Sequence, residues 1–180
     1  MSAFFEAIHA AFNEAGIKPI LVGGWAVNHL GHTRNTMDFD LMILEDDAVK
    51  LHTYLEKAGF HLLFRNPELF AKYRHSHEKI FELDILFTDK ITYEKLKSDS
   101  SEIKVGKIEC LLPAPMSLIA MKLHAIKSSF ETRFPKDFPD IVALSDLYGI
   151  DVSSEPFKQH CLKFGNKKIY ELILNTKLEK

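Results

Sequence analysis

The sequence predicts an α+β protein: a small mixed β-sheet flanked by helices, with an α-helical C-terminal portion. Two observations carry this. Through residue 112, apolar runs of strand length alternate with helical stripes, punctuated by glycine. After Pro113 and Pro115 the apolar spacing changes to helical and stays so. The expected division is residues 1–112 for the αβ part and 113–180 for the helical part. Composition agrees. The 180 residues are 46% hydrophobic with 14 Phe. A chain of that length buries roughly 70% of its unfolded surface.

The first helix is expected to start at a Ser2 cap, carry Phe5, Ile8, Phe12 and Ala15 on one stripe, and stop at Gly16. Pro19 to Val22 is a short apolar run that reads as a buried strand and ends at Gly23-Gly24. Trp25 to Leu30 reads as a short helix and Gly31 to Thr36 as a loop. Met37 to Leu44 alternates, with Asp38 and Asp40 facing one way and Phe39 and Leu41 the other, as a strand requires. A helix capped by Asp46 or Asp47 runs to about Ala58, with Val49, Leu51 and Leu55 as its apolar positions. Phe60 to Phe64 reads as a strand. Leu69 to Tyr73 and Lys79 to Phe87 read as a hairpin pair, and Ile103 to Leu112 as another around Val105-Gly106-Lys107. In the helical part, Met116, Ile119, Leu123 and Ile126 share a stripe. Helices are expected over Asp137 to Tyr148, Glu155 to Phe164 and Asn166 to Leu178.

Charge narrows the partners. Twenty-three Lys and Arg against 25 Asp and Glu leave a net charge of -2, which argues against a wholesale polyphosphate-binding surface. Cys110 and Cys161 stand far apart, in no zinc spacing, and read as ordinary thiols of a reducing compartment. Of the nine histidines, His75 and His77 lie close but lack a third ligand at suitable spacing, and they read as surface groups. The N-terminus lacks a signal-peptide pattern and no apolar run approaches the length of a membrane span. A cytoplasmic protein without membrane contact is expected.

The chemistry gathers at three places. Asp38 and Asp40 sit two apart on one strand face, roughly 7 Å between Cα atoms. Such a pair is either a solvated strand face or a seat for positive charge, most economically a divalent cation. Asp84, flanked by Leu83 and Ile85, supplies a third carboxylate if its strand lies beside the first, with Glu82 as the fallback. Three carboxylates suffice for two metals and in-line displacement at phosphorus. Gly23-Gly24 joins an apolar strand to a helix, where backbone can approach an anionic ligand closely. Arg34 and Thr36 precede the carboxylate strand, where Arg34 can pair with phosphate or with a carboxylate.

Val22-Gly23-Gly24-Trp25, Arg34-x-Thr36-x-Asp38-x-Asp40 and Asp84 together resemble the signature of the DNA polymerase β-like nucleotidyltransferase superfamily. They are similar to its minimal bacterial members, the aminoglycoside and lincosamide nucleotidyltransferases and the abortive-infection toxin type. The run Met121 to Ala125 with Lys122, then Arg133, Lys136-Asp137 and Asp140, resembles the helical half of the toxin-like branch. The resemblance implies the nucleotidyltransferase fold and Mg2+-dependent transfer of a nucleoside monophosphate to an acceptor hydroxyl, with Mn2+ as a substitute. It implies that Asp38 and Asp40 hold two metals, and that Asp84 holds one and serves as base. Gly23 and Gly24 then bind the triphosphate, with Arg34, Thr36, Lys122 and Lys136 as further nucleotide ligands. The implied partners are a nucleoside triphosphate, an acceptor (a small molecule, a tRNA or a protein) and, for a toxin, an antitoxin protein. One position departs: many members carry Ser where this chain has Trp25, so backbone N–H groups or Thr36 must compensate. The alternative is a catalytically silent nucleotide- or partner-binding module.

Lys122 falls about 40° from Ile126 and about 60° from Ile119 on a helical wheel. Its stem is therefore expected to flank the buried stripe, with its ammonium emerging at an edge as a snorkelling or phosphate-binding group. Asp137 and Asp140, read at a helix start, suit capping positions.

Overall fold

The structure, a computed structural model, describes residues 3–77 and 80–178. The Ser2 cap, the start of the strand at Lys79 and the terminal Lys180 lie outside the described residues. The chain forms two units. The first comprises residues 1–26 and 34–114; the second comprises residues 27–33 and 115–180. Residues 27–33, assigned by sequence to the αβ part, thus group with the helices.

The first unit is built on a seven-stranded mixed sheet. Its strands are β1 (Ile20–Leu21), β2 (Asp38–Leu44), β3 (Phe60–Asn66), β4 (Phe70–His75), β5 (Glu82–Thr88), β6 (Ser101–Val105) and β7 (Ile108–Leu112), in the order β3-β4-β5-β2-β1-β7-β6. β2 runs parallel to β5 and β1 parallel to β7; the other pairs are antiparallel. Alternation decides the faces. Phe39, Leu41 and Ile43 of β2 and Leu83 and Ile85 of β5 are fully buried, while Asp38, Asp40, Glu82 and Asp84 share the other face.

Helix α1 (Ala3–Ala15) buries Phe4, Ile8, Ala11, Phe12 and Ala15 and packs on α3 (Ala48–Lys57) and β7. A 3-10 turn over Glu45–Asp47 precedes α3, and neither Asp46 nor Asp47 caps it through a side chain. The buried stripe of α3 is Ala48, Leu51 and Leu55; Val49, expected to be apolar contact, is 68% exposed. β3 is an edge strand whose Leu62, Leu63 and Phe64 are exposed. Helix α4 (Lys90–Ser98) has no counterpart in the sequence reading. Its signal is local: Asp89 accepts from the Thr92 N–H at 2.9 Å, an N-cap, and Tyr93 and Leu96 point inward.

Helix α2 (Gly23–His29) leads from β1 into the second unit. That unit packs α5 (Pro115–Ser128) on α6 (Phe130–Leu147) and α7 (Glu155–Phe164), and α7 on α8 (Lys167–Leu178). Its core is Leu118, Ile119, Leu123 and Ile126 with Ile141, Leu144, Phe157, Ile169 and Ile173. α6 begins seven residues before the expected start at Asp137 and runs through Pro135 and Pro139. Each proline removes one helical hydrogen bond. Phe130, Phe134 and Phe138, stacked at 4.6 and 4.5 Å along the same face, help hold the helix through that stretch. Among the described residues, no helix is long and apolar enough to cross a membrane.

Candidate functional site

Strand register assembles an acidic face on the first unit. Asp40 of β2 is opposite Asp84 of β5, which is opposite Lys72 of β4. One step along, Asp38 is opposite Glu82, which is opposite Arg74. Two rows of acid, acid and base therefore lie side by side, set by period-2 alternation in three strands. Lys72 Nζ draws them together. It lies 3.4 Å from Asp38 Oδ1, 3.0 Å from Glu82 Oε2 and 3.1 Å from Asp84 Oδ1. Asp38 and Asp84 oxygens thus both lie within 3.4 Å of one point. Arg74 pairs with the other oxygen of Glu82.

The electrostatics follow. The Arg74 hydrogen bond, then that of Lys72, holds Glu82 below the usual carboxylate range. Asp84 goes the other way: burial pushes its carboxyl up, and Lys72 only partly offsets this. The three acids around Lys72 outweigh its desolvation and keep it firmly protonated. A carboxylate tuned upward and held beside a cation suits proton acceptance from a hydroxyl.

The glycine turn is locked to this face. Gly23 has φ +62°, a conformation that favours glycine. A Cβ there would fall 2.5 Å from Cγ of Asp40, inside the carboxylate group. A Cβ on Gly24 would fall 2.7 Å from Thr36 Oγ1 and 3.1 Å from an Arg34 terminal nitrogen. So Gly23, Gly24, Arg34, Thr36 and Asp40 converge. Gly23→Ala is expected to expel the Asp40 carboxylate and to cost about 1–3 kcal/mol in backbone strain as well. Urea unfolding checks this, and a loss below about 0.5 kcal/mol would contradict the interlock.

Trp25 does not face the acids. Its ring packs edge-on against Phe5 and Phe39 at 5.4 and 5.2 Å and lies 6.3 Å from Phe81. The position after the glycine pair therefore serves the apolar side of β2, which explains an aromatic where the resemblance expects Ser. The Thr36 hydroxyl lies beside Gly24.

The second unit holds a separate charged cluster. Lys122 is only 4% exposed, and its Nζ donates to Asp137 at 3.0 Å and Asp140 at 2.6 Å. The expectation of an emerging ammonium is corrected: the lysine points between α5 and α6. Asp137 and Asp140 are 2% and 0% exposed in the interior of α6, so the capping role is corrected too. Arg133 Nε reaches Asp137 at 2.8 Å and His32 Nε2 lies 3.9 Å from Asp140. Lys136 is exposed on α6. His75, expected at the surface, is buried against Phe60 and its Nδ1 accepts from the His77 N–H. Cys110 and Cys161 are buried, and burial pushes their thiols up to about 11 and about 12.

No family model and no curated protein matches the chain. Solved structures do. ANT(2")-Ia in complex with adenylyl-2"-tobramycin superposes with TM-score 0.57 at 16% identity, over 98% of this chain and 96% of that one. The lincosamide antibiotic adenylyltransferase LnuA, lincomycin-bound, gives 0.57 at 17%, over 81% and 96%. An antigenic nucleotidyltransferase-like protein from Paracoccidioides brasiliensis gives 0.53 at 14%, over 91% and 92%. The chain has the nucleotidyltransferase fold. In this nucleotidyltransferase fold the acidic face and the glycine turn belong to the first unit alone.

Sequence reasoning missed Lys72 and Arg74. Their signal was the hairpin: Phe70, Lys72 and Arg74 alternate with Ala71, Tyr73 and His75, and pairing against Glu82 and Asp84 puts base opposite acid. The carboxylates supply the hard oxygen donors that magnesium takes. Among the described residues no three metal-ligating groups already stand in closed array, and the Lys72 ammonium lies among the acids.

Proposed function

We propose that this protein transfers a nucleoside monophosphate from a nucleoside triphosphate to an acceptor hydroxyl and releases pyrophosphate. The observation that carries the reading is the convergence of Asp38, Asp40 and Asp84 on one face, with the Gly23-Gly24 turn against Asp40. In the reaction the acceptor oxygen bonds to the α-phosphorus, the bond to the β-phosphate oxygen breaks, and the hydroxyl proton passes to Asp84. Mg2+ or Mn2+ held by Asp38, Asp40 and Asp84 would neutralise phosphate charge and lower the acceptor's pKa. Gly23, Gly24, Arg34 and Thr36 would receive the phosphates. Lys122, committed to two carboxylates, would position α5 and α6.

The acceptor we favour is a small polyhydroxylated molecule. LnuA and ANT(2")-Ia, of the same fold, carry lincomycin and adenylyl-2"-tobramycin in their structures, and the net charge of -2 disfavours a large RNA. A tRNA or protein acceptor, with an antitoxin partner, is the competing version. A silent nucleotide-binding module is the second reading, favoured by the Lys72 ammonium among the acids. Incubation with each labelled triphosphate and Mg2+ against antibiotics, tRNA and protein separates these; no labelled product in any arm selects the module. Nucleotide with Mg2+ at 100 times its dissociation constant should add about 2.7 kcal/mol of stability. Asp38→Asn with Asp40→Asn should abolish that gain, and an equal gain in the double variant would place the nucleotide elsewhere.

A further inference from the structure

We propose that Lys72 is the resident counter-ion of the acidic face, a tethered cation that a divalent metal must displace. The inference rests on the nucleotidyltransferase reading and deepens it. Four carboxylates, Asp38, Asp40, Glu82 and Asp84, share the face, and β4 sets two bases, Lys72 and Arg74, opposite the pair on β5. Arg74 is taken up by Glu82. Lys72 reaches three of the four acids, Asp38 on β2 and both acids on β5. The oxygens it touches on Asp38 and Asp84 are those a metal needs, and an ammonium and a metal ion cannot share them.

The consequence is a site whose negative charge is partly compensated without metal. Carboxylates this close repel one another, and Lys72 relieves that repulsion from within the chain. It thereby sets a threshold: a bare divalent ion must outcompete a covalently tethered cation. A metal arriving with a triphosphate brings phosphate oxygens as additional ligands and passes the threshold more easily. Lys72 is thus a positioning residue whose effect appears in metal affinity rather than in the fold.

The test is calorimetric titration of Mn2+ alone into the full chain, as wild type, Lys72→Met and Lys72→Arg. Loss of one charged hydrogen-bonding competitor should tighten Mn2+ binding at least about tenfold in Lys72→Met. Lys72→Arg, which keeps the charge, should bind as wild type does. Unchanged or weaker binding by Lys72→Met overturns the proposal while leaving the nucleotidyltransferase reading intact. No Mn2+ binding by any of the three, with or without ATP, overturns both. If Lys72→Met does not fold, wild type still decides: saturating Mn2+ should increase acylation of Lys72 by a lysine-directed reagent, and unchanged or reduced labelling overturns the proposal.

Discussion

Lys122→Ala is expected to cost about 3–5 kcal/mol of folding free energy, the loss typical of removing one partner from a buried ion cluster. Lys122 lies between Asp137 and Asp140, all three at most 4% exposed. Alanine would strand two carboxylates in the α5–α6 interface. Arg133, half exposed, compensates only Asp137, and His32 approaches only Asp140. Replacing the cluster together (Lys122→Met, Asp137→Leu and Asp140→Leu) should recover most of the loss, because no charge is then left buried alone. Urea denaturation reads both effects. A cost under about 1 kcal/mol for the single variant would return Lys122 to the surface. A drop in nucleotide affinity on Lys122→Ala is therefore no proof of a phosphate ligand until stability has been measured beside it.

Asp84→Asn is expected to lower nucleotidyl transfer by about 10²–10⁴-fold, the usual contribution of a general base. Asn matches the carboxylate in shape but cannot take the acceptor proton. The side chain of Asp84 is 16% exposed, burial pushes its carboxyl up, and Lys72 beside it keeps the charged form accessible. Far-UV circular dichroism should be unchanged, since Leu83 and Ile85, not Asp84, fill the core side of β5. Turnover within tenfold of wild type would remove Asp84 from the reaction.

The sheet half was legible because strand alternation is short-range. Phe39 and Leu41 against Asp38 and Asp40 assign both faces of β2 without reference to any partner. α4 was missed because its apolar stripe is thin, only Tyr93 and Leu96, and its cap Asp89 lies beside a strand end. α6 was cut short because Asp137 and Asp140 suited a helix start, whereas the helix begins at Phe130 and the stacked Phe ladder supports it across Pro135 and Pro139. Lys122 was misplaced for a related reason. A helical wheel gives an angle to the apolar stripe, but what buries a lysine is a pair of acids on another helix. Lys72 became visible only through the β4–β5 register, which is a long-range property.

β1 is two residues long, yet it delivers Gly23, and both its partners come from distant sequence: Leu41 and Met42 on one side, Leu111 on the other. Pairings so far apart along the chain close slowly, because loop entropy must be spent before contacts form. During synthesis the acids of β2 can meet β5 well before β7 exists. β1 can therefore meet β2 early, while its pairing with Leu111 waits for β7. Trp25, the chain's single tryptophan, sits in the aromatic cluster just beyond that turn. The protein thus carries its own optical reporter for the packing of the segment after the glycine turn, one seated on Phe5 and Phe39 rather than on the acidic face.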